Sequence, residues 1–435
     1  MDIPRVVIIG GGLAGWGVVK ELEPYARHED IALTLIEERS CHEFPPLYYE
    51  VATGIAQGDT GEAVSLASSV CVDVVHLERF TRKANVAIVQ DRVTAIHRAA
   101  RRVVVLSGAE IPYDVLVLAM GVQTAYYGIM GLRDHAIPLK SVADALHIRR
   151  RICELIARAR RGSVERFGIV IGGGGATGVE FAAELASACR EFVRRGLLRR
   201  EDVEITIVEG ASRLLTAFPE RASYLALRRL HRLGVRVFLD ALVGKVTLDG
   251  VTVVPRPLRE GEHREQLLCG FSGDSCELAS DVTVWTGGIV PTALPKESGF
   301  AVNTRGAVVV DRTGLVEGER CVFALGDCAV FPDARGGTIP PLASHAVRSA
   351  PIVGENVMRM LRAARLRAYR ARELPAILPL GGKYAMLTYR GRIVDGWSVW
   401  VLRSLVDLRY FTRAFGLVTG FSIWLRGIRA YVKND

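Results

Sequence analysis

One short pattern occurs twice in this chain of 435 residues and constrains its fold more than any other feature. Arg5-Val6-Val7-Ile8-Ile9 is a buried-strand run that opens into Gly10-Gly11-Gly12-Leu13-Ala14-Gly15 and then a helical stretch to about Leu22. Phe167-Gly168-Ile169-Val170-Ile171 does the same before Gly173-Gly174-Gly175-Ala176-Thr177-Gly178. Each copy is followed by a second strand ending in an acid: Leu33-Thr34-Leu35-Ile36-Glu37, with Glu38 next to it, and Ile205-Thr206-Ile207-Val208-Glu209. The pattern predicts two strand–helix–strand units, each able to hold a dinucleotide.

The chemistry explains the spacing. Gly10 and Gly173 allow the tight turn, Gly12 and Gly175 let the backbone approach a pyrophosphate, and Gly15 and Gly178 let helix and strand pack closely. The diphosphate then sits on the unpaired N–H groups of the helix start, around Leu13, Ala14 and Thr177, where the helix dipole is positive. Glu37 and Glu209 would accept hydrogen bonds from the ribose hydroxyls. Glu209 would repel a 2′-phosphate, which favours NADH over NADPH, although Arg213 stands nearby.

Composition sets the outer limits. With 49% hydrophobic and 24% charged residues the chain reads as globular, and its length allows two to four domains. Disorder and fibre are excluded. The net charge of +9 comes from 56 basic and 47 acidic residues, of which only 7 are Lys. The Arg are scattered and no nucleic-acid recognition motif appears, so no nucleic-acid partner is expected. Eight cysteines without a CxxC pair suggest a reducing compartment. The first strand follows Met1 so closely that the chain is expected to start as a folded cytoplasmic domain. No window approaches the ~20 apolar residues of a spanning helix.

The remaining segments connect these units. Short β-rich runs at 86–89, 102–106 and 115–118 predict a small sheet returning to the first domain. A basic helix spans about Ser141 to Arg161, and residues 255–280 read as a polar loop or extended hairpin. Val322-Phe323-Ala324-Leu325 is a strand ending in Gly326-Asp327, and from about Arg372 the chain becomes a Trp-, Phe- and Arg-rich tail.

Taken together these segments resemble the flavoprotein disulfide-reductase superfamily with two dinucleotide-binding domains. Val117-Leu118-Ala119-Met120-Gly121 stands where that superfamily has an ATG motif, and Leu325-Gly326-Asp327 resembles its flavin-contacting aspartate motif. Within it the chain is most similar to type II NADH:quinone oxidoreductases. His42-Glu43-Phe44-Pro45-Pro46-Leu47-Tyr48-Tyr49-Glu50-Val51-Ala52-Thr53-Gly54 looks like that family's flavin-bordering segment, and the resemblance covers roughly residues 4 to 413. One departure stands out: Ser344 and Arg348, in Ala343-Ser344-His345-Ala346-Val347-Arg348, replace the family's two glutamines beside quinone and flavin.

The resemblance implies an α/β fold of two Rossmann-like domains with a C-terminal membrane-associating helical region. Its parts would be an FAD domain over 1–142 and 287–372, an NADH domain over 143–286, and the membrane-associating region over 373–435. It implies FAD and NADH as cofactors, a membrane quinone as acceptor, no proton pumping and no metal. The cofactor residues it points to are Thr53, Gly54, Ala119, Gly121, Gly288, Gly326, Asp327, Ala343 and Ser344, beside those of the two loops. Glu180, in Gly178-Val179-Glu180, takes a substrate-positioning and proton-transfer role by resemblance; a first-turn acid on the helix dipole reads equally from the residues. His345 and Lys383 are acceptor-side polar candidates. A disulfide reductase would need a redox cysteine pair, and Cys41 has no evident partner.

The tail points to a membrane surface. On a helix from Trp397 to Arg413, Trp397, Val401, Leu405 and Leu408 share one face, and Arg403 can pair with Asp407 across one turn. Phe415, Leu417, Phe421, Ile423 and Trp424 follow before Arg426 and Arg429. Aromatic residues flanked by Arg suit a helix lying in the headgroup layer of an anionic membrane, and the resemblance implies the cytoplasmic side of the inner (plasma) membrane. A homodimer interface is the alternative use of the same face. Two other functions remain open: a sulfide:quinone oxidoreductase, and a nucleotide-sensing, membrane-associated flavoprotein with another acceptor.

Overall fold

The computed structural model describes residues 3–54, 71–73, 85–163, 166–258, 273–333 and 337–432, with backbone alone at 71–73 and 429–432. Part of the predicted 255–280 hairpin, residues 259–272, lies outside the described residues. The helices that matter below are, in chain order, α1 (Leu13–Arg27), α2 (Tyr48–Thr53), α3 (Val142–Arg160), α4 (Ala176–Arg194), α5 (Glu220–Leu233), α6 (Ala343–Leu361), α7 (Trp397–Phe415) and α8 (Leu417–Val432). The chain divides into two units, each discontinuous in sequence. The first comprises Met1–Phe44, Cys71–Gln123 and Ile289–Arg372, and the second Pro45–Val70, Thr124–Gly288 and Glu373–Asp435.

The first unit is built on a five-stranded parallel sheet in the order Val322–Ala324, Val115–Leu118, Arg5–Ile9, Ala32–Glu37, Val86–Gln90. Its central strands are continuous apolar runs, as expected of parallel strands covered on both faces: Val6, Ile8, Leu116, Val117 and Phe323 are fully buried. α1 and α6 pack closely, because Gly17 leaves room for Ala350. The small sheet predicted from the runs at 86–89, 102–106 and 115–118 does not form as one piece. Val86–Gln90 and Val115–Leu118 join the parallel sheet, and Arg102–Val105 pairs antiparallel with Val93–His97 and Glu110–Pro112. Alternation separates them: Val115–Leu118 is buried throughout, whereas Val93–His97 buries only Ile96.

The second unit repeats the plan. Its parallel sheet runs Ala136–Pro138, Val282–Trp285, Phe167–Gly172, Val203–Val208, Arg236–Phe238. A three-stranded antiparallel sheet follows, Ala241–Val246, Gly250–Pro255 and Cys276–Ala279, of which only Pro255 and the last strand fall within the predicted 255–280 segment. α3 begins on Ser141, whose hydroxyl accepts the Asp144 N–H as an N-cap. Residues 373–435 belong to this unit: a three-stranded sheet over Ala376–Pro379, Ala385–Tyr389 and Arg392–Gly396 leads into α7 and α8. These two helices cross at Gly420, where any side chain would meet the Phe411 backbone. The fold class is therefore the expected α/β one. Among the described residues no helix is long and apolar enough to cross a membrane.

Candidate active site

Each parallel sheet carries a glycine loop at the carboxyl end of its central strand, and the two loops have the same geometry. Gly10 and Gly173 have φ of 98° and 109°, a region closed to other residues without strain. A side chain on Gly15 would collide with the Gly10 carbonyl, and one on Gly178 with the Gly173 carbonyl. Gly12 and Gly175 are different: a methyl group there would meet nothing within 4 Å. Both are N-cap residues without a side-chain cap, so the first N–H groups of α1 and α4 face open space. This is a cradle for an anion at each helix start, with backbone and not side chains as its floor.

The two acids are also matched. Glu37 accepts from Gly11 N at 2.5 Å and Arg39 N at 2.9 Å; Glu209 accepts from Gly174 N at 2.5 Å and Ala211 N at 2.8 Å. Each carboxylate is thus locked beside its loop, with acceptor capacity left over for a ligand hydroxyl. Glu38 is exposed and paired with Arg92 at 2.6 Å. Arg213 donates to the carbonyls of Leu215, Phe218 and Thr216, so its guanidinium is engaged in holding the loop after Glu209. His42 donates from Nδ1 to Gly11 O at 2.7 Å, and burial lowers its pKa to about 4, which keeps it neutral at physiological pH.

Other predicted residues fall around these loops. In the first unit Ala119 lies under Gly10 and Gly15, Gly121 has φ of 64°, and Gly326 packs on Ala14, which sets Asp327 in the turn before Cys328. Ala343 and Ser344 open α6. His345 shares a 2.8 Å hydrogen bond with the Tyr369 hydroxyl; burial, and then Arg348, lower its pKa. In the second unit the Thr53 hydroxyl donates to Tyr49 O at 2.8 Å, Gly54 ends α2, and Gly288 abuts Tyr127. Lys383 sits in a turn pinned to α4: Gly381 touches Ala183, and Arg229 donates to the carbonyls of Leu380 and Gly381. Thr177 is exposed at the start of α4.

Glu180 belongs to a buried charged cluster that sequence reasoning did not assemble. Arg403 of α7 donates from Nη1 to Glu50 Oε1 at 2.6 Å and from Nη2 to Pro46 O at 3.1 Å, and Asp407 is 4.0 Å away. The Tyr49 hydroxyl donates to the same Glu50 oxygen at 2.5 Å, and the guanidinium lies 5.3 Å from the Tyr49 ring centre. Glu50 Oε2 is buried with no hydrogen-bond partner. Burial raises the Glu180 carboxyl to about 8; Arg403 opposes this, while Glu50 and Asp407 reinforce it. Burial likewise raises Asp407 to about 7, against Arg403 and with Glu50. The predicted Arg403–Asp407 pair therefore exists, but as the weaker contact of Arg403. Cys41 is disulfide-bonded, which corrects the expectation that it has no partner.

Two sheets with matched glycine cradles, one per unit, define a protein that handles two nucleotides. The profile of the pyridine nucleotide-disulphide oxidoreductase family matches residues 4–350, and the chain belongs to that family of oxidoreductases. Over its length it is similar to the type II NADH:quinone oxidoreductase of Staphylococcus aureus, with 25% identity across 97% of this chain and 98% of the relative. Its fold matches the Plasmodium falciparum protein named NDH2, solved in complex with NADH, with a TM-score of 0.80, 16% identity and 98% of each chain covered. The sulfide:quinone oxidoreductase of Aquifex aeolicus shares the fold at a TM-score of 0.74 and 20% identity, covering 96% of this chain and 94% of that one.

Proposed function

We propose that this chain passes two electrons from NADH, through FAD, to a membrane quinone without pumping protons. The observation that carries the reading is the pair of open cradles at Gly12 and Gly175, each beside a locked glutamate. Bound at the first loop, FAD would supply hydride acceptance and onward electron transfer. The N–H groups at Leu13 and Ala14 would hold its diphosphate, and Glu37 its ribose. Gly175, Thr177 and Glu209 would hold NADH in the same way. Gly54, Ala119, Gly121, Asp327 and Ser344 would border the flavin. His345 and Lys383 would serve the acceptor side.

Glu180 keeps its proton at neutral pH and can release it to a substrate, because its carboxyl is raised from 4.5 to about 8. The folded protein therefore holds a proton that the unfolded chain releases above about 4.5, so this group's contribution to stability is lost as pH rises towards 8. Purified protein should be yellow, bleach anaerobically with NADH, and recover colour on addition of a quinone. Bleaching without recovery would exclude the acceptor. Glu180→Gln should slow recolouring about 10- to 100-fold, the scale of general acid catalysis, and remove its decline through pH 8. Unchanged recolouring would exclude that role.

NADH is favoured because Glu209, fixed beside its loop, would repel a 2′-phosphate, and Arg213 is committed to three carbonyls. NADPH should bleach the flavin with a kcat/KM about 100-fold or more below that of NADH, measured by stopped flow. Equal efficiency with both nucleotides would refute this assignment.

Association with the cytoplasmic surface of the membrane through residues 373–435 is supported by what α7 and α8 expose. Trp397, Leu405, Leu417, Val418 and Phe421 are all at least 49% exposed, with Arg409 and Arg413 exposed among them. A homodimer would cover the same face.

A further inference from the structure

The charged cluster around Glu180 has an opening of its own. A narrow cleft between α7 and α8 is lined by Glu50, Arg403, Ser404 and Asp407 on its polar side and by residues such as Trp424 and Gly427 on the other. It has room for one or two waters. Trp424 Nε1 donates to Ser404 O at 2.8 Å and fixes α8 across it. Glu50 lines the cleft and is 5% exposed, and its Oε2 is buried without a partner, because Arg403 and the Tyr49 hydroxyl both use Oε1. A buried carboxylate oxygen in that position needs a donor, and the cleft is sized to bring one as water.

We propose that this cleft is the proton inlet of the acceptor half-reaction: water in it protonates Asp407, which relays the proton to Glu180. The inference rests on the quinone reading given above. Per turnover NADH loses a hydride, the quinone gains two electrons and two protons, and solvent supplies the net one proton. That proton leaves a water or hydronium O–H bond in the cleft and forms an O–H bond on Asp407. It passes on to Glu180, whose own O–H bond breaks as a quinone oxygen is protonated.

The groups facing the path come from three helices: Tyr49 and Glu50 of α2, Glu180 and Glu184 of α4, and Arg403 and Asp407 of α7. Among the described residues α8 adds the uncharged Ile423, Trp424, Gly427 and Ile428. Asp407 at about 7 and Glu180 at about 8 both exchange protons near neutral pH. Arg403 is a positioning residue here, since it orients Glu50 and compensates the carboxylates.

The test uses full-length, FAD-loaded protein and separates flavin bleaching by NADH from recolouring by a short-chain benzoquinone. Asp407→Asn should bleach within twofold of wild type and recolour at least tenfold more slowly, with partial rescue by formate, a small weak acid. Gly427→Ala, which narrows the cleft without touching a charge, should slow recolouring at least threefold. Infrared titration of the oxidised protein should show a protonated-carboxyl band titrating near pH 7 that Asp407→Asn removes. Wild-type recolouring in both variants would overturn the inlet, as would equal slowing of both half-reactions, which marks a merely structural role. Wild-type protein that bleaches but never recolours would overturn the quinone reading, and the inlet with it.

Discussion

Replacing Gly178 by alanine should abolish reduction by NADH while leaving the protein yellow. The added methyl group would overlap the Gly173 carbonyl oxygen and crowd the Thr286 hydroxyl, which donates to the carbonyls of Gly172 and Gly173. Neither neighbour can yield, because one is backbone and the other is bonded to it. The loop must therefore shift relative to α4. A displacement of about 1 Å at a site that orients a hydride donor costs on the order of 100-fold in rate, so bleaching by NADH should slow at least that much. Dithionite should still bleach the protein, which shows that the flavin remains bound and reducible. The mirror substitution, Gly15→Ala, meets the Gly10 carbonyl and should yield colourless protein. An absorbance spectrum after purification distinguishes the two, and a yellow Gly15→Ala protein reduced normally by NADH would contradict the assignment of FAD to the first loop.

Arg403→Met should be the most destabilising single change on the C-terminal helices. The side chain is only 11% exposed and is the counter-charge of both Glu50 and Asp407. Removing one partner of a buried ion pair costs about 3–5 kcal/mol, because the remaining charge is left uncompensated. The loss should appear in denaturant melts as a lower midpoint, measured near pH 8, where Asp407 is more ionised than at pH 6. Pairing the change with Glu50→Gln should recover part of it, since a neutral amide needs no cation. A midpoint unchanged by Arg403→Met would show that the pair is solvated in solution.

What could be read from the amino-acid sequence was what lies close together along it. Gly10 to Glu37 and Gly173 to Glu209 are single strand–helix–strand units, so spacing alone fixes their geometry, and the matched hydrogen bonds at Gly11 and Gly174 follow from it. Glu180 was visible for the same reason, two residues after the last glycine. Its surroundings were not. Glu50 and Arg403 are 353 residues apart, and nothing in either local pattern marks the other. The i,i+4 spacing of Arg403 and Asp407 instead suggested a pair within one helix, of the kind that is ordinarily solvent-exposed. On α7 that rule is inverted: the charged pair faces inward and Trp397 and Leu405 face out. The run at 86–89 likewise joins a different sheet from the one its local pattern suggests, because a four-residue β pattern does not say which sheet it joins; its parallel pairing with Leu33–Glu37 does.

The Arg403–Glu50 bond also sets a clock on biosynthesis. α2 is made early, yet its buried carboxylate cannot meet its cation until 353 more residues have been translated. At about 5–20 residues per second that is roughly 20–70 s. Until α7 has been made the nascent second unit lacks the counter-charge of Glu50, so its centre cannot close before then. Chains arrested before α7 should therefore remain open to proteases and chaperones, whereas completed chains become resistant.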